Sequence, residues 1–106
     1  MFVHLVLIKL KPGIQRNDPR VRAWQPMMEA LPRRCKGIVY MEYGWNTTDR
    51  PVAYDFGVNM GFATRADLDA YGPDAYHQEV VAKQREFAEW IICDYEKADK
   101  IVGEVI

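Results

Sequence analysis

Two histidines and a tyrosine carry the residues of this chain best suited to chemistry. His77 falls in the first turn of a helix that Asp74 is placed to cap. Unpaired backbone N–H groups and the positive end of the helix dipole disfavour an imidazolium there, so a ring kept neutral near pH 7 can act as general base or hydrogen-bond donor. The structural alternative at the same place is a local cap pair, with the Asp74 carboxylate stabilising a His77 imidazolium. Tyr71 stands six residues earlier, ahead of a Gly72-Pro73 break. A reversal at that break brings its phenol and the His77 ring to one cavity mouth, the Tyr donating to a carbonyl oxygen while the His removes or relays a proton. Tyr76 competes for the phenol role, and either Tyr alone reads as an amphipathic rim residue. His4 lies on an apolar strand beside Val6 and Ile8. Taken alone it reads as a core or rim histidine satisfied by its neighbours.

Other chemistry is poorly served. The chain has no glycine-rich phosphate loop, HExxH, CxxC or nucleophile elbow. Cys35 and Cys93 lack metal-ligand spacing and read as reduced thiols, Cys93 as a small buried hydrophobe. Asp67 and Asp69 lie two apart on a helix and face different ways, so with Asp74 they make no metal site. Neither metal nor cofactor is expected. Trp24, Met27, Met28, Phe87 and Trp90 have the ring-and-thioether character of a pocket for a flat apolar ligand, although helical spacing also fits ordinary core packing.

These residues need a scaffold, and the patterning supplies one. Phe2 to Leu10 is apolar on both alternating sides, the mark of a strand covered on both faces. Asp18-Pro19 caps and opens a helix whose Val21, Trp24, Met28 and Leu31 form one stripe. It ends by Pro32, with Pro26 expected to kink or interrupt it. Gly37 opens a second strand, Ile38 to Tyr43, and a polar connection from Gly44 to Pro51 leads to a third, from about Ala53 to Phe62. Thr64 and Asp67 resemble a capping box for a short helix ending near Tyr71. Asp74 then caps a longer helix expected to run through Val80, Val81, Gln84, Phe87, Ala88 and Ile91, leaving Ile92 to Glu96 as a last short strand. The order β-α-β-β-α-β is the ferredoxin-like α+β arrangement, with two helices on one sheet face. The bare apolar face then calls for a homodimer, sheet against sheet. Residues 1–96 form the domain, and Ile101, Val102, Val105 and Ile106 make 97–106 an apolar tail that docks on the domain or its partner.

Composition agrees. The 106 residues suffice for one domain with a core, and three Trp, six Tyr and four Phe are more rings than a small core easily hides. They call for a ligand cavity or an aromatic subunit interface. A formal net charge of −1 and a short Arg33-Arg34/Lys36 cluster without interleaved aromatics argue against nucleic acid. No apolar run approaches the roughly 20 residues of a membrane helix, and no export signal is evident, so a cytoplasmic protein is expected.

The motif His4-Leu-Val-Leu-Ile-Lys-Leu-Lys-Pro-Gly13, with Ala30-Leu-Pro32, Tyr54-Asp55, Tyr71, His77-Gln-Glu79 and Asp94-Tyr95, resembles the stress-responsive dimeric A/B-barrel (Dabb) family over roughly residues 3 to 96. The resemblance implies a ferredoxin-like subunit dimerising into an α+β barrel. It also implies similarity to the family's plant polyketide cyclase, olivetolic acid cyclase, a cofactor-free enzyme. By motif position that cyclase's Tyr, His and first-strand His correspond to Tyr71, His77 and His4. Its first-helix pocket aromatics fall near Trp24 and Met27, and a third-strand histidine of its cavity falls near Phe56, which makes Phe56 a pocket candidate and that part of the cavity less polar here. Where members commonly carry His-Pro-x-His, this chain has Asp74-Ala75-Tyr76-His77. The expectation is a cofactor-independent cyclase, isomerase or lyase acting on a small hydrophobic carbonyl or polyketide-like compound. The alternative is a non-catalytic, stress-responsive or ligand-binding dimeric barrel.

Overall fold

The computed structural model describes residues 1–98. The expected tail contacts of Ile101, Val102, Val105 and Ile106 lie outside the described residues. The elements are β1 (Phe2–Leu10), α1 (Pro19–Glu29), α2 (Leu31–Arg34), β2 (Ile38–Trp45), β3 (Phe56–Phe62), α3 (Arg65–Tyr71), α4 (Ala75–Arg85) and β4 (Ala88–Glu96). Four antiparallel strands lie in the order β2-β3-β1-β4. This is the ferredoxin-like α+β fold.

The helix starts follow their caps. The Asp18 side chain accepts from the Arg20 N–H at 2.9 Å, ahead of Pro19 at the first helical position. Thr64 Oγ1 accepts from the Asp67 N–H at 3.1 Å. Two helix boundaries differ from expectation. Helix α1 runs on through Pro26, which lies on its exposed side, where the carbonyl that loses a partner can turn to water. It stops at Glu29, and Pro32 sits in the first turn of α2, where its missing N–H costs nothing.

The largest correction concerns the last strand. Helix α4 ends at Arg85, and β4 is nine residues long, not a short strand from Ile92. Phe87, Ala88 and Ile91 match helical spacing, but Ala88, Trp90 and Ile92 equally share one side of a strand. The strand prevails because β4 pairs with β1 throughout, from Ala88 opposite Leu10 to Glu96 opposite Phe2, and satisfies its backbone edge. Strand β2 likewise reaches Trp45, and β3 begins at Phe56 rather than Ala53. Just before it, Asp55 continues the pairing differently: its N–H donates to the Ile8 carbonyl, and its carboxylate accepts from the Leu10 N–H at 2.7 Å.

One sheet face carries Val6, Ile8, Phe56, Val58, Met60 and Phe62, all buried beneath Val21, Trp24, Met28 and Leu31, Leu68 and Val80 of the helices. The other face carries Leu5, Leu7, Ile91, Cys93 and Tyr95, with Gly57, Asn59 and Gly61 between them. No described helix covers it, and Ile91 and Tyr95 are 52% and 42% exposed. Cys93, expected to be buried, is exposed there, and both cysteines are free thiols. No described helix is long and apolar enough to cross a membrane.

Candidate active site

Between the helix-side face and α4 lies a cavity of about 300 Å³. Its wall is mostly apolar: Val6, Ile8, Met28, Leu31, Val58, Met60, Val80, Val81, Trp90 and Ile92. Into that wall are set His4, Tyr71 and His77. Strand β1 carries the first, the end of α3 the second and the start of α4 the third, so the Gly72-Pro73 reversal does bring the latter two together.

The His77 ring lies against Tyr71 with centroids 4.0 Å apart, and His4 meets Tyr71 edge-on at 5.7 Å. His77 Nδ1 stands 3.0 Å from the Gly72 carbonyl oxygen. A carbonyl only accepts, so Nδ1 carries the proton and the Nε2 lone pair is left for a ligand. Burial pushes the His77 imidazole below its ordinary 6.5, and the nearby His4 adds to this against the opposing pull of Gly72 and Asp74. The ring is therefore neutral near pH 7. Asp74 does not pair with the imidazole. Its Oδ1 caps α4 instead, accepting from the N–H groups of Tyr76 at 2.9 Å and His77 at 3.1 Å and from the Cys35 thiol at 3.2 Å. Those backbone donors hold the Asp74 carboxyl below the usual range. Burial, with the Asp74 hydrogen bond, pushes the Cys35 thiol up to about 12, which removes it as a nucleophile.

Tyr71 is buried and its phenol makes no hydrogen bond to any described residue. Burial, reinforced by Cys35 and Asp74, raises it above the ordinary phenol range, so it stays a donor. Tyr76 is out of contention: its hydroxyl donates to the Met27 carbonyl at 2.8 Å, and Arg34 stacks on its ring. His4 is more than a packed strand residue. Its Nδ1 lies 2.5 Å from Asp94 Oδ1, directly across the β1–β4 ladder. The carboxylate accepts, which fixes the ring's orientation and leaves Nε2 on the other side.

Of the pocket candidates, Met28 and Trp90 line the cavity. Trp24, Phe56 and Phe87 do not. They interlock edge-to-face, Trp24 at 5.4 Å from each of the others, and Trp45 closes on Phe56 at 4.8 Å. Ring faces spent on one another are not available to a ligand. The buried Trp24 Nε1–H has no partner among the described residues. Met27 contributes its carbonyl to Tyr76 rather than a wall. Sequence reasoning missed Asp94, Gln84 and Arg85. Asp94 was discoverable from the register once β4 is read at full length; the other two follow His77 at helical spacing on the same face of α4. Among the described residues, no group of three or more His, Cys, Asp or Glu is placed to hold a metal.

Comparison with known proteins places these features in context. The family model described as the stress responsive A/B barrel domain matches residues 2–97. An uncharacterized protein of Streptomyces coelicolor is 43% identical over 96 residues, covering 91% of this chain and 99% of that one. A dimeric protein of unknown function with a ferredoxin-like fold from Bacteroides fragilis superposes with a TM-score of 0.75 at 22% identity, covering 91% and 95% of the two chains. Hydroxynitrile lyase from Passiflora edulis gives 0.79 at 11% identity, covering 94% and 95%. At such identities the two solved structures speak to fold alone.

Proposed function

The chain belongs to the stress responsive A/B barrel domain family, and on that premise we propose that it is a cofactor-independent enzyme moving a proton alpha to a carbonyl in a small, largely apolar compound. What carries the reading is one juxtaposition: the free Nε2 of a neutral His77 and the unpaired phenol of Tyr71 in one apolar cavity. His77 Nε2 takes the α-proton, and the C–H electron pair becomes the enolate. Tyr71 donates to the enolate oxygen, where negative charge develops. The proton on His77 then returns to a different atom, or the enolate carbon attacks a second carbonyl and closes a ring, and the new alkoxide takes the proton from His77. Isomerisation, cyclisation and the reverse, lyase-type step share this intermediate. His4, oriented by Asp94, holds the substrate or passes the proton on. A polyketide-like substrate and ring closure of the olivetolic acid cyclase type are part of this proposal, supported by the presence of Tyr71, His77 and His4 in one cavity lining. The free thiols accord with a reducing, cytoplasmic setting.

We further propose a homodimer through the face of Leu5, Leu7, Ile91 and Tyr95, completing an α+β barrel. The described apolar exposure and the dimeric Bacteroides fragilis structure support it.

The test is deuterium uptake at the α-carbon of 4-butylacetophenone in D₂O, followed by proton NMR. Wild type is expected to accelerate uptake, His77→Ala to lose about 10²–10⁴-fold, and Tyr71→Phe about 10²–10³-fold, with circular dichroism unchanged. Binding without uptake in any variant would leave a ligand-binding barrel and sink the enzymatic reading.

A further inference from the structure

Seven residues beyond His77, past Gln78, α4 sets a further polar group in the cavity wall. Gln84 is 7% exposed and lines the cavity. It is the buried polar residue among the described ones. Its carboxamide carries two donors and an acceptor, yet no hydrogen bond joins it to any described residue. With no protein partner and a place in the lining, the amide is open to the cavity, where it can serve a ligand's polar group. The next residue, Arg85, also lines the cavity. Its guanidinium rests over the Trp90 ring at 5.4 Å, and no described carboxylate pairs with it. Lys11 Nζ donates to the Arg85 carbonyl at 2.8 Å, bringing a second cation to that end.

The two polar ends are well separated. Seven residues of helix span about 10 Å. Across the ladder, Trp90 lies opposite Ile8 while Asp94 lies opposite His4, four residues apart, so along the strands the two ends stand about 13 Å from each other. Between the ends the wall is apolar, formed by Val80, Val81, Met28 and Leu31.

We infer that the cavity grips an elongated ligand at both ends, its carbonyl at Tyr71 and His77 and a carboxylate at Gln84 and Arg85 about 10 Å away. The substrate class is then a ring-bearing keto acid rather than a neutral ketone, and Gln84 is a specificity-determining residue. The Gln84 amide and the Arg85 guanidinium donate to the carboxylate oxygens, while Trp90 and the aliphatic wall cover the ring. The inference rests on the proposed function only for what happens at the carbonyl end.

Binding of 3-(4-acetylphenyl)propanoate and of 4-butylacetophenone, a neutral ketone of similar length, is to be measured by isothermal titration calorimetry on the full chain. Wild type is expected to prefer the acid by about ten- to a hundredfold. Gln84→Leu and Arg85→Gln should each remove most of that preference and leave the neutral ketone near its wild-type affinity. Gln84→Glu keeps the size but opposes a carboxylate, and should bind the acid more weakly than the ketone. Equal affinity of the two probes for wild type overturns the inference, as does an acid preference that survives Gln84→Leu. If the preference behaves as expected but neither probe exchanges its acetyl protons, the two-ended site stands and the proton-transfer reading falls. Exchange of both probes without acid preference means the reverse.

Discussion

His77 owes its neutral state to its surroundings more than to any one partner. Burial disfavours the imidazolium, and the Gly72 carbonyl commits Nδ1. As the base must be unprotonated, the α-exchange rate is expected to fall on acidification through an apparent pKa below 6.5 and to stay level on the alkaline side, since the Tyr71 phenol is raised above its ordinary range. A rate-against-pH profile checks this, and a midpoint above that value would contradict it. The same depression has a consequence for stability. With a folded pKa below the unfolded one, the neutral ring's contribution is fully present above about 6.5 and is lost as pH falls through the folded value. Thermal midpoints of wild type should therefore drop between neutral and mildly acidic pH by more than those of His77→Gln.

Elements are held to the sheet by a few positions where geometry leaves little choice. Tyr40 is one: its ring lies over Gly61, and its hydroxyl donates to Asn59 Oδ1 at 2.8 Å. A Cβ at Gly61 would overlap that ring. Gly61→Ala is accordingly expected to cost about 1–3 kcal/mol in urea unfolding, with much of the loss recovered when Tyr40→Leu is added. An unchanged midpoint in the single variant would show that the ring has another place to go. Gly37 opens β2 at a φ of +88°, with the Asp67 Cβ 3.0 Å from where its own Cβ would stand. Next to His77, Asp74 caps α4 and receives the Cys35 thiol. Asp74→Ala should lower the thermal midpoint and loosen His77, and Asp74→Asn should restore most of the cap.

The whole protomer is a slab, 42 × 37 × 18 Å, one layer of helices on one sheet. A slab of that kind needs cover on its second side, and Leu5, Leu7, Ile91, Cys93 and Tyr95 are what it offers. In sedimentation analysis the wild type is expected at twice the protomer mass. Leu7→Lys places a charge mid-face and should shift the population to monomer, because an unpaired buried charge is costly. Alkylation of Cys93 should be faster in that variant than in wild type. A wild-type monomer with freely reacting Cys93 would rule out this face as the interface.

Much of this was already written in short-range patterns. Asp18, Thr64 and Asp74 announce helix starts because a cap is settled within three residues. Tyr71, Gly72-Pro73 and His77 announce a reversal with two polar side chains at its mouth for the same local reason. The sequence by itself therefore determined the β-α-β-β-α-β order and the pairing of Tyr71 with His77. Other features depend on partners distant in the chain. The length of β4 is decided by the full ladder it makes with β1, and that ladder gives His4 its Asp94. The rings of Trp24, Phe56 and Phe87 look like a pocket until they are folded against one another. Gln84 looks like an ordinary helical glutamine until the fold sets it in the cavity wall with no protein partner. Tertiary structure alone decided these, because spacing tells which groups share a face, whereas only the packed fold tells which of them still lack a partner.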